Sequence, residues 1–141
     1  MKLKHSLTIL FLTLCMSMLQ AQKIKIKKGV IYVDGESCLT TEGYPVNTSF
    51  YDTDGEEIIF MKYLETKKGE TYAKVTFLDQ KLSLTSKSIV FTRKMLLRKL
   101  LASKVIENCK LNPEKVERFI LKFDEQVEKD DINVSVIIDR N

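Results

Sequence analysis

The side chains best suited to nucleophilic, redox or metal chemistry in this chain are few: Cys15, Cys38, Cys109 and a single histidine, His5. Two of the four, His5 and Cys15, sit in a stretch that reads as a secretory leader. Lys2 and Lys4 precede an uncharged run from Leu7 to Leu19, too short to span a bilayer comfortably, and Ala21 supplies a small residue before a cut at Gln22. Cleavage there leaves residues 22–141 with no histidine, which excludes Ser/His/Asp and Cys/His catalysis and the common histidine-containing zinc sites. Two cysteines remain, Cys38 and Cys109, and in an oxidising compartment two is a pairing number. A bridge between them closes a loop of 109 − 38 = 71 residues. Two separate thiols are the alternative, since spacing does not supply pairing geometry. With no Cys-x-x-Cys motif, thiol redox catalysis is disfavoured.

Carboxylates are the next group. Asp52, Asp54, Glu56 and Glu57 surround Gly55 in the way a calcium loop opens, but the flanks are strand-like and no ligand glutamate follows at the proper distance. The stretch therefore reads as a hairpin turn, and no tight calcium site, other metal or cofactor is expected. Acid pairs do hydrolyse glycosidic bonds without histidine, and Glu56, Glu57 and Glu65 lie on or beside that hairpin. Basic residues cluster between Lys87 and Lys104, six of them with no acid among them. Lys94, Arg98 and Lys99 share one side of a leucine-rich segment, where they would meet an anionic glycan or lipid surface. The plainer reading is a solvated face, or one matched by Asp124, Glu125, Glu128, Asp130 and Asp131.

These groups are positioned by one α+β domain, residues 22–141, in which an antiparallel β-meander packs against a C-terminal antiparallel helix pair and a last strand rejoins the sheet. Residues 22–86 are strand-rich. Lysine alternates with isoleucine from Lys23 to Lys28, the pattern of a lysine-guarded edge strand, and Val30–Val33 follows a Lys-Gly turn. Residues 36–44 show no clear period and read as a loop. Asn47–Asp52 and Glu57–Glu65 form a hairpin about a two-residue Asp54-Gly55 turn, which sets Tyr51 opposite Ile58, Phe50 opposite Ile59 and Ser49 opposite Phe60. Thr71–Leu78 and the stretch around Leu82 and Leu84 continue the meander. Residues 87–129 hold two helices. The first runs from about Ile89 to Ile106 after a start at Ser86 or Ser88. The second starts at Asn112 and Pro113 and carries Val116, Phe119, Ile120, Phe123 and Val127 on one stripe. The link 107–110 is short enough to make the helices antiparallel neighbours. Residues 132–138 alternate as a strand.

The leader, the Asp54-Gly55 hairpin running into Ile58-Ile59-Phe60 and the helix start Asn112-Pro113-Glu114-Lys115-Val116 together resemble small exported bacterial proteins of unknown function. That resemblance carries over no site residues.

Cleavage lowers Lys+Arg from 23 to 21 against 19 Asp+Glu, a net charge of +2, which argues against a dedicated nucleic-acid binder. No membrane-spanning segment is expected in the mature chain. Three function classes follow: a non-catalytic binding module of the periplasm or cell exterior, meeting an envelope protein or an anionic surface; a carboxylate-dependent glycan hydrolase; and a structural or assembly subunit pairing through the Lys23–Lys28 sheet edge.

Overall fold

A computed structural model describes residues 22–43, 46–87 and 92–129. The leader at 1–21, the helix start at Ser88 and Ile89, and the strand at 132–138 lie outside the described residues. Short apolar alternations broken by turn residues become seven strands: β1 (Ile24–Lys27), β2 (Val30–Val33), β3 (Glu36–Glu42), β4 (Asn47–Tyr51), β5 (Glu57–Glu65), β6 (Thr71–Phe77) and β7 (Leu82–Ser86). Each pairs antiparallel with the next, so the expected meander is present and the fold is α+β. The register stacks inward-facing residues in rows across the sheet, Phe50–Ile59–Phe77 and Met61–Val75–Leu84, all of them at most 1% exposed. Two helices cover this face, α1 (Arg93–Ala102) against β1 and α2 (Pro113–Phe123) against β7. Leu96, Leu97 and Leu100 of α1 and Val116 and Phe119 of α2 join the sheet residues in one core.

Four expectations need correction. Residues 36–42 are a strand, not a loop. Ile31 pairs with Leu39 but Tyr32 with Ser37, so Cys38 is an extra residue in β3. A bulge of this kind breaks the alternation that a strand shows in sequence, and here it buries two consecutive residues, Cys38 and Leu39. The Asp-Gly hairpin has a three-residue loop, Thr53–Gly55, closed by Asp52 N–H to Glu56 C=O (3.0 Å) and Gly55 N–H to Asp52 C=O (3.2 Å). Ser49–Phe60 and Phe50–Ile59 pair as expected, but Tyr51 lies opposite Glu57 because Ile58 is a second extra residue.

The helices are shorter than their apolar patterns. α1 begins at Thr92, whose hydroxyl accepts from Met95 N–H, and stops at Ala102. Val105 N–H donates to Leu100 C=O (2.8 Å) and Lys104 N–H to Leu101 C=O (3.0 Å), a Schellman ending with Lys104 at φ +56°. Val105 and Ile106 are buried after the helix rather than in it, which is why the apolar pattern runs on. Glycine is the residue suited to the Lys104 conformation, so Lys104→Gly should raise unfolding stability by about 1 kcal/mol in urea titrations.

Between the helices lies a hairpin, β8 (Ile106–Glu107) and β9 (Lys110–Leu111), turned by Asn108 (φ +51°) and Cys109 (φ +61°). Helix α2 ends at Phe123 instead of Val127. Asn112 takes the extended conformation of an N-cap without a side-chain capping bond. Asp124 leaves the helical path, Gln126 turns at φ +52°, and Val127 is buried, 2% exposed, in a separate helical turn.

Candidate functional site

A seven-stranded open sheet has two edges, and each edge strand carries a row of backbone N–H and C=O groups aimed at solvent. The chain treats its two edges differently.

At β7 the edge is closed by residues that follow α2. Glu125 N–H donates to Thr85 C=O (2.8 Å), while Thr85 N–H (2.9 Å) and Thr85 Oγ1 (3.1 Å) both donate to Asp124 Oδ1. Lys87 N–H and Ser86 Oγ donate to the two oxygens of Glu125, each at 2.7 Å. Val127 N–H donates to Thr85 Oγ1 (2.9 Å). Thr85 and, just past the end of β7, Lys87 are alternate residues whose backbone points away from β6, so side-chain carboxylates occupy the places a neighbouring strand would fill. The chain then rounds the edge to the other face of the sheet, where Glu128 bonds Lys74 Nζ (2.8 and 3.0 Å) and the Tyr72 hydroxyl (3.3 Å). That ion pair also offsets the like charge of Lys62, the cross-strand partner of Lys74 on β5.

Asp124→Ala removes the acceptor for Thr85 N–H, Thr85 Oγ1 and Gln126 N–H at once. Leaving the buried Thr85 groups unpaired should cost about 2 kcal/mol, and the reopened edge should add concentration-dependent aggregation, read by denaturation and light scattering.

At β1 no strand or loop among the described residues covers the outer edge. Asp34 N–H bonds Lys23 C=O (2.9 Å), and the Lys28-Gly29 turn, with φ of +50° and +80°, sits between Lys27 and Val30. By alternation Lys25 and Lys27 bond β2, and Ile24 and Ile26 direct their N–H and C=O outward. Their side chains face α1 and the core, Ile24 fully buried and Ile26 half-buried. Lys23, Lys25, Lys27 and Lys28 therefore line a short apolar edge with cations. Asp34 is the nearby acid, its Oδ1 accepting from Lys23 N–H at 2.8 Å.

The residues singled out from sequence fall elsewhere. Cys38 and Cys109 are bonded, with Cα atoms 4.9 Å apart. The β3 bulge brings Cys38 to the core, and the turn between β8 and β9 delivers Cys109. Lys94 and Arg98 are exposed one helical turn apart, but Lys99 is half-buried with its Nζ 4.6 Å from the Phe123 ring centre, a cation–π contact. Of the acids that could match this basic side, Asp124, Glu125 and Glu128 turn to β6 and β7 instead, and Asp130 and Asp131 lie outside the described residues.

Glu57 and Glu65 are the two ends of β5, about 26 Å apart at strand spacing, whereas glycosidase pairs stand about 5–9.5 Å apart. Glu56 lies in the turn before β5, its N–H and C=O both bonded to Asp52. In that turn Asp52 Oδ1 accepts from Asp54 N–H and Glu56 N–H, each 2.9 Å, so this carboxylate closes its own loop.

The clamp formed by Asp124, Glu125 and Glu128 was not legible beforehand, because a count of charges carries no direction. Its one sequence signal is a run of acids directly after an apolar helix and opposite the threonine and serine of β7.

No family model matches the chain, and neither a characterised protein nor a solved structure is significantly similar to it. Among the described residues no helix is long and apolar enough to cross a membrane.

Proposed function

We propose that this protein is an exported, non-catalytic interaction module that takes an extended, acid-bearing segment as an eighth strand on β1. The observation that carries this reading is the contrast between edges. Two carboxylates, Asp124 and Glu125, and the backbone N–H groups of Glu125 and Val127 close β7, whereas the outward groups of Ile24 and Ile26 are left flanked by lysines. Main-chain bonds give such pairing its affinity, and flanking charge gives it a preference. Export is supported by the leader pattern and by the Cys38–Cys109 bond, which persists in an oxidising compartment.

The test is an NMR titration of residues 22–141 with a short synthetic peptide of alternating valine and threonine ended by aspartates, and with the same peptide ended by lysines. The acid-ended peptide shifts the amides of residues 23–28 and the lysine-ended one does so more weakly. Shifts elsewhere, or none with either peptide, would overturn the reading.

A second reading has its own observation: Met95 is 43% exposed beside Lys94 and Arg98 on α1. An apolar side chain between two cations suits an anionic lipid surface. Wild type would then co-sediment with phosphatidylglycerol vesicles and Lys94→Glu/Arg98→Glu would not; equal retention disposes of it.

A further inference from the structure

We infer that the segment seated on β1 is residues 132–138 of a second copy of this chain, so that copies join head to tail. This rests on the β1 reading above and names its partner.

The first support is where the described chain ends. After Asp124 and Glu125 have filled the β7 edge, Glu128 is anchored to Tyr72 and Lys74 on the face of β6 away from the helices. The nearest edge of the same copy is thus already occupied at Thr85 and Lys87. Its other edge, β1, lies five strand-to-strand steps from β6, each about 4.8 Å along the sheet. The short way through the other side is filled by α1, α2 and the core. Residues 130 and 131 reach about 7 Å, so the segment that follows cannot lie on its own β1.

The second support is chemical. Ile132, Val134, Val136 and Ile138 recur at every second position, the period of a strand, with Asn133, Ser135 and Ile137 between them, and Asp130, Asp131 and Asp139 bracket the stretch. The edge they would meet is bracketed by Lys23, Lys25, Lys27 and Lys28. Apolar side chains at every second position would extend the row that Ile24 and Ile26 present toward α1, and the aspartates would face the lysines. Contact between two different surfaces of the same chain is heterologous and does not close at two copies unless the rotation forms a ring.

The test uses residues 22–141 in native mass spectrometry and light scattering over a concentration series. Wild type should pass from monomer through dimer to larger species, with the midpoint moving upward in salt. Val134→Lys/Val136→Lys spoils the tail, and Ile26→Pro spoils the edge by removing an outward N–H without touching the ladder to β2. Each variant alone should stay monomeric, and an equimolar mixture of the two should give a dimer and nothing larger, because one sound tail and one sound edge remain. Should Ile26→Pro fail to fold, Lys25→Glu/Lys27→Glu replaces it and should raise the assembly midpoint about tenfold. A wild type that stays monomeric throughout, or variants that assemble like wild type, would overturn the inference. If wild type is monomeric while the aspartate-ended peptide still shifts residues 23–28, the β1 reading stands and only the identity of the partner fails.

Discussion

Replacing both bridged cysteines by serine, or reducing the bond, lowers unfolding stability by about 4 kcal/mol and the melting temperature by about 15 °C. The size comes from the loop. The bond spans 71 residues, and releasing it returns conformational freedom to most of the sheet in the unfolded chain. The position matters as well. Cys38 is the extra residue of the β3 bulge and Cys109 sits in the turn between the helices, so the bond ties the middle of the meander to the hairpin that starts α2. Urea denaturation of Cys38→Ser/Cys109→Ser against wild type reads the effect. A loss below about 1 kcal/mol would mean that the unfolded chain is already held compact by other contacts.

Phe119→Ala is the second large effect, about 4 kcal/mol. Phe119 is 2% exposed, stands edge-on to Phe77 with ring centres 6.1 Å apart and lies 4.7 Å from the Phe123 ring. It is the contact that seats α2 on the sheet, and α2 delivers Asp124 and Glu125 to β7. Truncation should therefore destabilise the whole core and loosen the β7 clamp together. In a double-mutant cycle with Phe77→Ala the coupling should reach about 1 kcal/mol. Leu121, 86% exposed on the same helix, is the control: Leu121→Ala should change stability by less than about 0.5 kcal/mol. Equal losses at 119 and 121 would contradict the assigned helix face.

The meander was readable because most of its strands obey a two-residue period and five of the six connections between them contain glycine. Lys23–Lys28, the Ser49–Phe60 and Phe50–Ile59 pairings, and Ala73, Val75 and Phe77 on one face all follow from that period. It failed where an extra residue enters a strand. Cys38 and Ile58 each shift the phase by one, so β3 looked aperiodic and the hairpin register slipped at Tyr51. The helix ends failed for another reason. Apolar residues continue past both helices because Val105, Ile106 and Val127 remain in the core after the chain has left the helical path, and periodicity records burial rather than hydrogen bonding. The edge contrast was half legible. The lysines of β1 are plain in sequence, but the closing of β7 depends on Asp124 and Glu125 meeting Thr85 and Lys87 nearly forty residues away, which no local pattern contains.

Amide hydrogen exchange of the dilute monomer tests this contrast most directly. Along β1, Lys25 and Lys27 should exchange slowly and Ile26 between them quickly, while at β7 the Thr85 amide, held by Asp124, should be slow. Slow exchange at Ile26, or fast exchange at Thr85, would contradict an open β1 and a closed β7.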